Sequence, residues 1–103
     1  MGINTVWKSE DGTELGRVDD PRGVLSTVFI HPVVDLTETV CLRFLDPYGD
    51  ACFNHLQTGI LAAELRAAAA ACDRAEIRDH LLAVAALADK AGETHTYLWF
   101  VGD

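Results

Sequence analysis

Residues 40–50 read V-C-L-R-F-L-D-P-Y-G-D, and the chain is organised outward from this stretch. Side chains alternate along a strand, so Val40, Leu42 and Phe44 share one face and Cys41, Arg43 and Leu45 the other. Both faces are largely apolar. That is the pattern of a strand inside a sheet, with helices over one face and less than full solvent over the other. Asp46-Pro47-Tyr48-Gly49 then supplies a side-chain acceptor, a residue of fixed φ and a glycine for a left-handed position, which predicts a tight turn. The chain is expected to return from it as a hairpin through Ala51 to Asn54.

Toward the N-terminus, residues 24–30 are β-branched and aromatic and read as a strand, although Val28-Phe29-Ile30 also fits a short helical turn. Pro32 ends this segment, and residues 35–39 connect it to the central strand. Residues 3–8 alternate weakly as a first strand, with Thr5 and Trp7 on one side and Asn4 and Val6 on the other. Ser9-Glu10-Asp11-Gly12 follows as a turn. Glu10, Asp11, Glu14, Asp19 and Asp20 place five acids within eleven residues. They read as a solvated hairpin or as an acidic docking surface.

Toward the C-terminus, Thr58 is the expected N-cap of a helix running to about Cys72, with Leu61, Leu65, Ala68 and Cys72 at helical spacing. Asp73 and Glu76 match a capping box that starts a second helix, whose apolar stripe is Ile77, Leu81, Val84, Ala85 and Ala88. Gly92 is its expected C′ residue. The two helices form an αα-hairpin. Residues 94–101 close the chain as a strand that pairs with residues 40–45. Thr96, Leu98 and Phe100 face the helices, and His95, Tyr97, Trp99 and Val101 face away. The fold class is α+β, a small mostly antiparallel sheet with an αα-hairpin on one face, in a single domain spanning residues 1–103.

A chain of 103 residues has room for one modest core, and a hydrophobic fraction of 50% argues for a folded globule. Sixteen acids against eight bases give a net charge of -8, which disfavours nucleic acid and suits a basic protein partner. Residues 1–7 hold neither a basic n-region nor an apolar run. The Met1-Gly2 start lacks the Ser or Thr that myristoylation needs at position six, where Val6 stands. Apolar runs are far shorter than the ~20 residues that span a bilayer. A cytoplasmic protein without membrane contact is expected, and three cysteines, Cys41, Cys52 and Cys72, fit free buried thiols in a reducing compartment.

Candidate chemistry is sparse. Cys52-x-x-His55 has half-zinc spacing that Cys41 or His95 would complete, but ligands three apart on a strand point to opposite faces, so no metal or other cofactor is expected. A Cys52, His95 and Asp46 triad can be written down without any local motif to support it. Asp46 and Asp50 flank the turn as paired carboxylates, or Asp46 bonds turn amides. His31 and His80 read as structural or exposed. Asn54 and Gln57 are binding groups or caps for the following helix. The expected binding set is Arg43, Asp46, Asn54, Gln57, His95, Tyr97 and Trp99.

The motifs L-R-F-L-D-P-Y-G-D (42–50), F-N-x-L-Q (53–57) and H-T-Y-L-W-F-V-G-D (95–103) together resemble a family of small bacterial proteins of no settled activity. These are similar in size and acidity to immunity proteins of contact-dependent and polymorphic toxin systems. The resemblance implies a sheet packed on a helix pair, with Arg43, Asp46, Gly49, Phe53, Asn54, Gln57, His95, Gly102 and Asp103 as its recognisable positions. Three function classes follow. The first is a non-enzymatic binding protein that neutralises a basic toxin domain, such as a nuclease. The second is a small enzyme or ligand-binding domain using the Arg43, His95 and Tyr97 face, and the third a homo-oligomeric module, for instance a homodimer, that buries its aromatic face.

Overall fold

The computed structural model describes residues 2–30 and 34–102. The expectations for His31, Pro32 and Asp103 lie outside the described residues. Among the described residues, four strands, β1 (Ile3–Ser9), β2 (Glu14–Val18), β3 (Asp50–Asn54) and β4 (Thr96–Gly102), form one antiparallel sheet in the order β2-β1-β4-β3, and three helices, α1 (Val24–Ile30), α2 (Thr58–Ala71) and α3 (Ala75–Lys90), accompany two 3-10 turns at Leu36–Glu38 and Leu42–Phe44. The α+β class and the αα-hairpin of α2 and α3 stand as the sequence predicts.

The helices cover one face. Along β4 the burial alternates, with Thr96, Leu98 and Phe100 buried and Tyr97, Trp99 and Val101 at least partly exposed. Ile3, Phe53, Leu98 and Phe100 meet Leu61, Leu65, Leu81, Val84 and Ala88 from the helix pair in a single core. Phe53 sets its ring edge against Phe100 at 5.8 Å between centroids. At Gly16, a Cβ would lie 3.0 Å from Leu87 Cδ1, so the missing side chain lets α3 settle on the sheet.

The central strand predicted over residues 40–45 is not formed, and its pairing with β4 is replaced by β1 on one side of β4 and β3 on the other. Glu64 on α2 is the cause. Its carboxylate accepts the N–H groups of Val40, Cys41 and Leu42, which turns the segment into a 3-10 turn lying on α2, and the Cys41 thiol faces the Gln57 carbonyl. Cys41, Leu42 and Leu45 still reach the core, but without strand periodicity. The turn at residues 46–49 does form. Gly49 N–H donates to Asp46 O at 3.3 Å, and Tyr48 N–H to Asp46 Oδ1 at 2.8 Å. Gly49 is not left-handed, however. It is small because a Cβ there would meet Asp46 Oδ2 at 2.8 Å.

Residues 24–30 are helical, which corrects the strand reading. Asp20 decides this: its carboxylate accepts Val24 N–H at 2.6 Å, Leu25 N–H at 3.0 Å and, from β1, Ile3 N–H at 3.2 Å. A capped first turn overrides the β-propensity of Val24, Thr27 and Val28. Asp20 is 1% exposed and so does not belong to the solvated acidic run. Other helix ends also depart from expectation. Thr58 is the first residue of α2 and Gln57 its N-cap, whereas α3 starts after Arg74 with no side-chain cap, its Glu76 instead meeting Arg22 at 3.0 Å. Gly92 follows the C-cap of α3 but the left-handed residue of this connection is His95, with φ 64°.

Candidate functional site

The face of the sheet turned away from the helices is assembled by register. Lys8 of β1, Tyr97 of β4 and Asn54 of β3 form one cross-strand row; Val6, Trp99 and Cys52 form the next; Asn4, Val101 and Asp50 the third. On the other side of β1, Arg17 lies opposite Val6 and Glu14 opposite Lys8. Val6 is buried between Trp99 and Arg17, while Tyr97 and Trp99 are half-buried and Cys52 is exposed. The N-terminal strands extend this same sheet and do not fold over the face as a second layer.

Lys8, Ser9, Glu10, Gly12, Cys52, Tyr97 and Trp99 line a shallow depression of about 250 Å³ on this face. Lys8 Nζ stands 5.8 Å from the centre of the Trp99 ring, within reach of a cation–π interaction. The β1–β2 turn supplies the rim. Gly12, at φ 92°, closes the turn, and Asp11 accepts from the Ser9 hydroxyl and from Thr13 N–H. Those bonds hold the Asp11 carboxyl down at about 2. His95 Nδ1 sits 3.1 Å from Glu10 Oε2, and Glu10 N–H donates to His95 O at 3.0 Å, so the left-handed His95 clasps the rim to the start of β4.

Of the expected binding set, Tyr97 and Trp99 line the depression and His95 stands behind its rim. Arg43 does not join them. It lies exposed on the 3-10 turn beside α2, its guanidinium 4.9 Å from the Phe44 ring centre. Asp46 belongs to the turn at the far end of β4, where Gly102 packs on the carbonyls of Asp46, Pro47 and Gly49. Asn54 and Gln57 cap one another: Gln57 Oε1 accepts Asn54 N–H at 3.0 Å, and Asn54 Oδ1 accepts Leu56 N–H and Gln57 N–H. Lys8, Ser9, Glu10, Gly12 and Cys52 complete the lining and stand outside the expected binding set, although the sequence placed Glu10 in the acidic run and Cys52 among the candidate ligands. The alternation of residues 3–8 already put Val6 opposite to Trp7, but nothing local told β1 which strand it would border.

The Cys52, His95 and Asp46 triad does not assemble. Asp46 and His95 lie at opposite ends of β4, roughly 20 Å apart at strand rise. Partial desolvation against the sheet surface pushes the exposed Cys52 thiol up, which disfavours the thiolate a nucleophile requires. Cys41 is likewise raised, by burial first and by the Glu64 carboxylate second. Cys41 and Cys72 are the buried thiols the sequence suggests, and Cys52 is the exception. Among the described residues, no group of three or more His, Cys, Asp or Glu is placed to hold a metal ion. Nor is any described helix long and apolar enough to cross a membrane. The chain matches no protein-family model, no curated protein and no solved structure.

Proposed function

We propose that this chain is a non-enzymatic acidic binding protein that captures a basic protein partner on the open face of its sheet, as an immunity protein captures a toxin domain. The observation that carries the reading is the uncovered Tyr97–Trp99 row beside an acidic hairpin. Trp and Tyr are the residue types that dominate binding hot spots, and both sit here on a rigid central strand. Glu10 lines the depression, and Asp11 and Glu14 stand exposed close by. A chain of net charge -8 steers a cationic partner toward such a surface before short-range contacts form. Resemblance to small acidic immunity proteins supports the same direction.

Co-expression with the reading frame adjoining this gene tests the proposal. A growth defect caused by that product alone, relieved by the wild-type chain and not by Trp99→Ala at retained folding, is the expected result. The association rate falls steeply as salt rises, because screening shortens the reach of exposed charges to ~8 Å at physiological ionic strength. A neighbour that is harmless and does not bind, or a complex indifferent to Trp99, overturns the assignment.

A further inference from the structure

The two edges of the sheet are treated differently. On β2 the register slips between Trp7 and Lys8, leaving Leu15 as an extra residue in a bulge, and Arg17 links Glu14 and Asp19 across the edge strand, both at 2.8 Å. Bulges and charges are the devices that keep an edge from pairing with another chain. The β3 edge has no bulge, and its one charged residue is Asp50 at the start of the strand. Gly102 N–H donates to Gly49 O, so the pairs Gly49/Gly102, Ala51/Phe100 and Phe53/Leu98 carry the ladder bonds and the alternate residues turn their backbone groups outward. Asn54 is closed off by Gln57, which takes its N–H on Oε1 and donates to its carbonyl. Asp50 and Cys52 keep outward N–H and C=O groups that no described residue bonds.

Two of the most exposed large hydrophobic side chains flank this edge, Tyr48 at 72% just before β3 and Leu56 at 74% just after it. We infer that the occupant of the edge is a second copy of this chain, paired antiparallel through β3 about a two-fold axis at Ala51. In that register Asp50 of each copy exchanges both backbone hydrogen bonds with Cys52 of the other, four in all. It uses only the free groups and leaves the Asn54–Gln57 cap intact. Ala51 faces Ala51 at the close, non-bonded position, where a small side chain fits. Antiparallel pairing also brings Tyr48 of each copy beside the Leu56 end of the other. In this register Asp50 lies opposite Cys52 and Asp46 opposite Leu56, so no acid directly faces an acid across the seam. The result is a continuous eight-stranded sheet whose Trp99 faces remain open, which makes the dimer independent of partner capture.

Light scattering on the purified chain over a dilution series is the test. The expected mass is twice the 11.2 kDa of one chain, falling to one chain on dilution. Cys52→Pro removes only an outward N–H and leaves the ladder bonds to β4, so it gives a folded monomer, whereas Cys52→Ala remains dimeric. Ala51→Cys in the Cys52→Ala background places two thiols at a Cα separation of about 4.5 Å, and mild oxidation gives a disulfide-linked dimer. This last variant decides the matter even if Cys52→Pro fails to fold. A single-chain mass throughout the series, a dimer that survives Cys52→Pro, or no cross-link at position 51 overturns the inference.

Discussion

The backbone N–H of Gly102 donates to the carbonyl of Gly49 at 2.9 Å, and this contact docks the turn at residues 46–49 onto the end of the chain. A Cβ on Gly102 would lie 2.6 Å from Asp46 O and 2.7 Å from the carbonyls of Gly49 and Pro47. Those atoms are backbone and cannot swing aside. Gly102→Ala is therefore expected to destabilise the fold by about 2 kcal/mol, read as a lower urea midpoint. Gly59→Ala is the control. Nothing lies within 4 Å of its Cβ position near the start of α2, so it should be neutral or stabilising by up to about 1 kcal/mol.

Asp20 and Glu64 each hold three backbone N–H groups, Asp20 those of nearby Val24 and Leu25 with Ile3 of β1, and Glu64 those of Val40, Cys41 and Leu42 from a distant segment. Replacing either by Ala leaves donors without their charged acceptor. The expected cost is about 2 kcal/mol or more at Asp20, which is buried, and less at Glu64, where water can reach part of the turn. Hydrogen exchange separates the two. Asp20→Ala should expose the amides of Val24 and Leu25, and Glu64→Ala those of Val40, Cys41 and Leu42.

Acid should loosen the β1–β2 turn late. The Asp11 carboxyl is lowered from the ordinary 3.8 to about 2, first by the Ser9 hydroxyl and then by Thr13 N–H. Because the folded value lies below the unfolded one, its contribution is fully present above about pH 4 and is lost as pH falls through about 2. Asp89, lowered chiefly by its hydrogen bond from Arg66, and Asp35, lowered by Thr37, act in the same direction. Carboxyl chemical shifts followed by NMR check this. Ser9→Ala should move the Asp11 midpoint upward, and an unmoved midpoint would show that the hydroxyl is not the cause.

Trp99→Ala and Phe100→Ala, adjacent in sequence, should behave differently. Phe100 is buried against Phe53, and its loss is expected to cost about 3 to 5 kcal/mol. Trp99 is half-buried on the open face, where its truncation uncovers Val6 but leaves no closed cavity. A loss of about 1 to 2 kcal/mol is expected, with partner association lost. Thermal melts of the two variants side by side provide the comparison.

Sequence alone determined the features that local periodicity encodes. The stripes of Leu61, Leu65 and Ala68 and of Leu81, Val84 and Ala88 defined the helix pair, and the alternation of Thr96, Leu98 and Phe100 against Tyr97 and Trp99 defined which side of β4 meets it. These patterns need no knowledge of the partner, because burial of one stripe is favourable against any apolar surface. Only the tertiary structure decided the rest. Residues 40–45 are apolar on both faces, a pattern that serves a buried strand and a buried turn equally well. The choice fell to Glu64, more than twenty residues away, whose carboxylate satisfies amides that a ladder would otherwise have held. Residues 24–30 became a helix because Asp20, four residues before Val24, accepts the N–H groups of Val24 and Leu25, and the Ile3 N–H of β1 holds that carboxylate in place. With residues 40–45 withdrawn from the sheet, β1 took the place beside β4. That substitution set Lys8 over Trp99, brought Cys52 in from the other side, and left Arg43 out of the depression.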